Sequence, residues 1–382
     1  MIRDQETLNQ LIDMIERFVR ERLVPAEQKL ADEAKLPDDI LQEMKALGLF
    51  GLTIPEEYGG LGLTMEEEIL VAIALGRTSP AFRSIMGTNN GIGSAAIVFN
   101  GTEEQKQKYL PKYASGEWIS CFCLTEPDAG SDAASLKTTA RLEGDVYLLN
   151  GTKRYITNAA VADTFNVMAR TNPDIKGAHG ISSFIVERGT PGLSTGAIDK
   201  KMGQAGSLTC DVIFEDCPVT AKNIIGEEGE GFSTAMKVLD RGRLHLAGVS
   251  VGVAERLISD ALEYAMQRKQ FGKPIAEQQL IQAMFADSKT ESFAAKCMAL
   301  ETARMRDQGK NVSTESAACK LFATEMVGRV ADRAVQIHGG AGYMAEYAVE
   351  RFYRDVRLFR LYEGTSQIQQ LVIARNMIKD AK

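Results

Sequence analysis

Long hydrophobic runs are missing from this sequence of 382 residues, and no stretch approaches the roughly 20 apolar residues needed to span a bilayer. Histidine is scarce. His179, His245 and His338 stand far apart, without an HxxxH spacing or a Cys/His cluster, so a metal site is not expected. The six cysteines, at 121, 123, 210, 217, 297 and 319, include no CxxC pair. A chain of this length needs no disulfide staples, which points to free thiols in a reducing compartment, a bacterial cytoplasm or one like the mitochondrial matrix. No basic cluster stands out and the net charge is -7, which argues against nucleic acid as a partner. No Walker A sequence is present, so triphosphate chemistry has no anchor. The opening "MIRDQETLNQLIDMIERF" reads as an amphipathic helix with acids throughout, and is not expected to be a signal or transit peptide.

What is present divides the chain by texture into an α+β multidomain protein. Residues 1–117 read as helical. Leu8, Leu11, Ile12, Ile15, Val19 and Leu23 fall on one helix face. Thr64 with Glu67, and Thr102 with Gln105, have capping-box spacing. Over 118–228 the period changes to two, with Gly- and Pro-bearing turns, which suggests an antiparallel β domain. Asn150-Gly151 inside "VYLLNGTKRYIT" is a strong hairpin signal. From 229 to 382 helices return, and Pro274 is the last proline, so the strongest helix breaker is absent beyond it. Leu244, Ala247, Val251, Ala254, Ile258, Ala261 and Ala265 step by threes and fours. A seam of such small residues suits close packing in an antiparallel four-helix bundle.

Three short motifs invite a wrong reading. "GVSVG" (248–252) matches a nucleophile elbow, but Ser250 falls within the long helix rather than at the end of a strand. "GIGSAA" (91–96) and "GAGYMA" (340–345) fit GxGxxA, yet neither follows a predicted strand. Other stretches carry chemistry more plausibly. In "CFCLTEPDAGSDAASLKTTA" (121–140) a strand runs into a turn where Gly130 and Ser131 leave donors free for an anion, or else form an ordinary loop. In "KRYITN" (153–158) Tyr155 and Thr157 would share one strand face, offering a ring and a hydroxyl to a planar heterocycle, or simply packing in a sheet.

Together "LTEPDAGSD", "KRYITN", "RKQFGKPI", "QIHGGAGY" and "LYEGTSQIQ" occur in the order, and near the spacing, of the acyl-CoA dehydrogenase family, which the chain resembles through nearly its whole length. The resemblance implies FAD held between the β domain and the C-terminal bundle. Phe122, Leu124, Thr125, Gly130 and Ser131 match the flavin and pyrophosphate segment. Tyr155 stands where many members have Trp, and Thr157 matches a hydroxyl at the flavin edge. Arg268, Phe271, Gln279, Gln336, Gly339 and Gly340 match positions that reach the FAD of a neighbouring subunit, which implies a homo-oligomer, usually a tetramer. Thr365 and Gln367 match further FAD contacts.

The same resemblance implies oxidation of an acyl-CoA to the trans-2-enoyl-CoA, with Glu363 as the base and an electron-transfer flavoprotein as acceptor. Members that relocate the base carry it just before the arginine matching Arg243, where this chain has Gly242. Asp240, Arg243, Ser131, Tyr362 and Gly364 match the substrate neighbourhood. Arg83 resembles the arginine that meets the distal carboxylate in glutaryl-CoA dehydrogenase, which suggests a dicarboxylyl acyl group; an internal salt bridge is the alternative. An acyl-CoA oxidase, or a flavin-binding scaffold without chemistry, are the other readings.

Overall fold

A computed structural model describes residues 1–382. Seven helices precede the first strand: α1 (Gln5–Phe18), α2 (Val24–Glu33), α3 (Asp38–Ala46), α4 (Met65–Leu75), α5 (Pro80–Asn90), α6 (Ala95–Asn100) and α7 (Glu103–Ala114). The expected α1 face is real: Leu8, Ile15, Val19 and Leu23 are buried, with Leu11 and Ile12 packed beside them. A π-turn over Val19–Leu23 joins α1 to α2 just before Pro25. The wider turn suits a proline, which has no N–H to give and would crowd the carbonyl one turn back. Both capping boxes form. Thr64 Oγ1 accepts from Glu67 N while Glu67 accepts from Thr64 N, and Thr102 and Gln105 repeat the exchange.

The middle of the chain forms a seven-stranded sheet: β1 (Ser120–Cys123), β2 (Thr139–Glu143), β3 (Val146–Thr157), β4 (Thr164–Arg170), β5 (Ile181–Glu187), β6 (Leu193–Thr195) and β7 (Thr209–Thr220). Most pairs are antiparallel, as expected, but β4 runs parallel to both β1 and β2. The long connection from β1 to β4 carries the β2–β3 hairpin, so β4 can re-enter beside β1 in the same direction.

The Asn-Gly pair makes no hairpin. Asn150 and Gly151 lie inside β3, opposite a bulge on β7 where Glu215 and Asp216 face Asn150. Asp216 takes φ +46°, and the Asn150 side chain both accepts from Asp216 N and donates to Asp216 Oδ1, each at 2.9 Å. Asn150 therefore satisfies a bulge, where its sequence context reads as a turn. The hairpin sits instead between β2 and β3, at Gly144-Asp145, where Gly144 takes φ +65°.

After the sheet come α8 (Gly231–Gln267), a short β8–β9 hairpin (Lys269–Gln270, Lys273–Pro274), α9 (Gln279–Asp307), α10 (Ser313–His338), α11 (Ala348–Val356) and α12 (Ser366–Asp380). Helix α8 is 37 residues long, and the seam from Leu244 to Ala265 is buried apart from Ile258, which packs at its edge. Ser250 is an interior helix residue whose hydroxyl donates to Leu246 O at 2.8 Å, so no nucleophile elbow exists. The flanking glycines serve packing. A Cβ on Gly252 would lie 2.2 Å from Ile73 O, and one on Gly76 would lie 2.6 Å from Val249 O. Helix α4 thus meets α8 backbone to backbone, which places the N-terminal helices directly on the C-terminal bundle.

Because backbone stands where the side chain would go, Gly252→Ala is expected to destabilise the protein by about 1–3 kcal/mol. Thermal melting would register this as a lower Tm, and an unchanged Tm would mean the helices have room to spare.

Candidate active site

A cleft of about 770 Å³ opens where α5, the edges of β1 and β3, the N-terminal half of α8 and the turn before α12 meet. It gathers Arg83, Phe122, Leu124, Thr125, Gly130, Ser131, Tyr155, Thr157, Arg243, Tyr362, Glu363 and Gly364 from positions up to 281 residues apart. A mostly apolar concavity with a few convergent polar groups is the usual form of a ligand site.

Two strained turns aim the chemistry. At the end of β3 a second bulge inserts an extra residue between Lys153 and Ile156. Tyr155 takes φ +60° there and is 64% exposed. The bulge shifts the period before Tyr155, but Tyr155 and Thr157 still flank the buried Ile156 and both line the cleft, on one face as expected. The Arg154 guanidinium lies 4.2 Å from the Tyr155 ring centre, and its Nη1 donates to Asp199 and Asp211. The second turn carries Glu363 at φ +54° and Gly364 at φ +88°. A non-glycine residue in the left-handed region is strained and needs its surroundings to hold it.

Glu363 lines the cleft from the turn before α12. Its Oε2 is buried and has no hydrogen-bond partner. The space it occupies exists because residue 242 is glycine: a Cβ there would lie 2.6 Å from Oε2. Beside it the Tyr362 hydroxyl is also buried without a partner. Burial raises its pKa above the ordinary phenol value, with the Arg83 charge pulling the other way. Arg243 is buried on α8, with Nη1 donating to Asp240 at 2.6 Å and Nε unpartnered. Asp240 itself does not line the cleft; burial pushes its pKa up, against the opposing charge of Arg243.

Arg83 forms no internal salt bridge. Its Nε donates to His245 Nε2 at 3.0 Å, which requires the tautomer whose Nδ1–H faces Glu68 Oε1, 2.9 Å away. Glu68 in turn accepts from Arg241 Nε and Nη2. Burial pushes the Glu68 carboxyl up, but the Arg241 charge and the His245 bond prevail and hold it at about 2. Ionised Glu68 offsets Arg241, and the chain of contacts leaves the Arg83 charge unmatched at the cleft wall.

The loop that ends in Gly130 and Ser131 is pinned by a buried ion pair that sequence reasoning missed. Lys153 is fully buried and donates to Glu126 Oε1 at 2.8 Å. Glu126 also accepts from Lys137 N, Thr138 N and the Thr138 hydroxyl. Burial raises the Glu126 pKa, yet Lys153 and these bonds leave it below its ordinary value. Also missed were Lys320 and Gln369, both fully buried, which donate to Gly364 O at 2.7 and 3.0 Å. A lysine on a helix or in a strand reads as a surface charge, so nothing local in the sequence marks either lysine.

Other expected contacts fall elsewhere. Arg268, Phe271, Gly339 and Gly340 line a separate concavity of about 550 Å³ at the far end of the bundle. Phe271 is 95% exposed at φ +52°. Gln279 and Gln336 are exposed near it. Thr365 caps α12, accepting from Ile368 N, and Gln367 is exposed; neither lines the main cleft.

The residues present fit FAD. Gly130 is exposed, with nothing within 4 Å of where a Cβ would stand; Ser131 beside it offers a hydroxyl, and Tyr155 offers an uncovered ring at the same cleft. A helical domain, a β domain and a helical bundle that enclose an unpartnered carboxylate beside such a wall define a flavin-dependent oxidoreductase. Models of the acyl-CoA dehydrogenase N-terminal, middle and C-terminal domains match residues 5–117, 121–217 and 229–378. The chain belongs to the acyl-CoA dehydrogenase family, whose members are FAD flavoproteins acting on CH–CH bonds of acyl-CoA. It is 41% identical to an acyl-CoA dehydrogenase of Bacillus subtilis over 365 residues, 96% of each chain. It is 42% identical to acryloyl-CoA reductase (NADH) of Anaerotignum propionicum over 381 residues, covering 99% of this chain and 95% of the relative. It is 41% identical to the caffeyl-CoA reductase–Etf complex subunit CarC of Acetobacterium woodii over 373 residues, covering 97% and 98%. Butyryl-CoA dehydrogenase from Megasphaera elsdenii superposes with a TM-score of 0.95 at 35% identity, covering 99% of this chain and 100% of that one.

Gly242→Ala is expected to leave flavin content intact while a methyl group displaces the Glu363 carboxylate. Displacement on that scale costs on the order of 100-fold in rate, measurable as the rate of anaerobic flavin bleaching by acyl-CoA.

Proposed function

We propose that this protein removes the α-proton and β-hydride of an acyl-CoA, with Glu363 as the base. The observation that carries the reading is the buried, unpartnered Glu363 Oε2, held at a left-handed residue in the space left by Gly242. A thioester α-proton is barely acidic, so the base must be close and desolvated, and negative charge on the thioester oxygen must be met by donors. The Glu363 and Gly364 N–H groups have no backbone acceptor within the chain and are suited to that oxygen. FAD, when bound, supplies the hydride acceptor. Phe122, Leu124, Thr125, Gly130, Ser131, Tyr155 and Thr157 would hold it from the β-domain side. Arg268, Phe271, Gln279, Gln336, Gly339 and Gly340 would meet the cofactor of a second subunit in a tetramer, which accounts for an exposed Phe271 in a strained conformation. An electron-transfer flavoprotein is the proposed redox partner, supported by the Etf-complex relative.

The two reductase relatives favour a second reading, in which the same site runs toward reduction of an enoyl-CoA. Glu363 would then return the proton it otherwise takes. Equilibrating the holoenzyme with saturated and unsaturated thioesters, with flavin absorbance as the readout, gives the preferred direction. Peroxide release without a dye acceptor would indicate an oxidase instead.

Glu363→Gln is expected to keep yellow flavin and bind acyl-CoA, while flavin reduction falls by roughly 10²–10⁴-fold. Reduction at the normal rate would remove Glu363 from the mechanism.

For the acyl group we propose a carboxylate or comparable acceptor at the end distant from the thioester, because Arg83 faces the cleft with no carboxylate partner of its own. Arg83→Ala should lower turnover of dicarboxylyl-CoA relative to simple acyl-CoA by at least about 10-fold, the scale of one lost charged hydrogen bond. An unchanged ratio in competition assays would sink the idea.

A further inference from the structure

Lys320 is the one lysine buried within the C-terminal bundle, and its surroundings are unusual for an ammonium group. It is fully buried in the first third of α10, and it pairs with no carboxylate. Removing an ammonium from water is costly unless strong partners replace the water. Its Nζ instead makes one hydrogen bond, 2.7 Å, to the carbonyl of Gly364. That carbonyl belongs to the residue after the base and also accepts from Gln369 Nε2 at 3.0 Å, while Gln369 reaches the Glu363 carbonyl at 3.2 Å.

The charged groups around Lys320 come from three elements. The turn before α12 brings Glu363, α8 brings Arg243, already bonded to Asp240, and α10 itself brings Glu325, which is paired with Arg360 at 3.0 Å. Burial pushes the ammonium down to about 8, with Glu363 drawing it back up and Arg243 pressing it further down. Below that pH the side chain is a cation next to the base turn. A strained residue at φ +54° followed by a glycine at φ +88° does not hold itself. Two buried donors grip its carbonyls, and one of them carries charge.

We infer that Lys320 is a positioning residue for the reaction: its ammonium clamps the Gly364 carbonyl, fixes the left-handed turn, and so holds the Glu363 carboxylate in the cleft. The inference rests on Glu363 being the base. Clamp and charge are separable. A methionine of similar length removes both, whereas a glutamine keeps an amide donor for the carbonyl and removes only the charge.

The test compares Lys320→Met, Lys320→Gln and Glu363→Gln as flavin-loaded holoenzymes. In Lys320→Met the rate of flavin reduction at saturating acyl-CoA should fall at least about 10-fold, while flavin content and the Kd of a non-reacting acyl-CoA analogue stay unchanged. Hydrogen exchange across residues 361–366 should rise. In Lys320→Gln the plateau rate should recover in part, because the amide still donates to the Gly364 carbonyl. Wild-type rate and exchange in Lys320→Met would overturn the inference. So would equal rate loss in both variants together with loss of flavin, which is the mark of a merely structural role. If instead Glu363→Gln reduces flavin normally, the base assignment itself fails, whatever Lys320 does.

Discussion

The backbone contact between α4 and α8 sets the geometry on which everything else depends. At Gly76 and Gly252 neither helix has room for a methyl group, so the two axes are locked at a separation that only glycine allows. Helix α8 is thereby fixed against the N-terminal domain, and the turn just before this contact carries Arg241, Gly242, Arg243 and His245 into the cleft. The same helix is core along one length and active-site wall along another. Its small-residue seam is a condition for the site and not only for the bundle.

Charges buried between domains reinforce that arrangement. Glu27, from α2, accepts from Thr78, Ser79 and Arg351, while Arg256 on α8 reaches it as well. Glu68 on α4 takes Arg241 from α8. Such pairs add little net stability once desolvation is counted, but each admits one relative placement of its helices. They act as register marks. Within the β domain Lys153 and Glu126 do the same for the loop that ends in Gly130 and Ser131.

Much of this was legible in the sequence. The α–β–α order, both capping boxes and the α8 seam follow from local spacing, and local spacing is what formed. The misreadings share one cause. Asn150-Gly151 has the chemistry of a hairpin, yet a bulge on a strand far along the chain gives Asn150 a different task. The parallel entry of β4 is likewise decided by strands not adjacent in sequence. The cleft gathers Glu363, Arg83 and the β1 and β3 edges, where the motif residues cluster. Lys153, Lys320 and Gln369 stayed hidden because burial of a polar side chain is a property of the packed interior. Asp240, Thr365 and Gln367 lie beside the cleft but are occupied with Arg243, a helix cap and solvent.

Gly242 and Glu363 claim the same small volume from opposite walls, one by lacking a side chain and the other by filling the gap. Such positions cannot drift independently. A descendant that gained a carboxylate at 242 while keeping Glu363 would force two acids into one hole, and one that lost Glu363 first would, on the proposed mechanism, have no base at all. The two sites therefore form an epistatic pair with a fitness valley between the alternatives, and moving the base from one wall to the other demands two changes in concert.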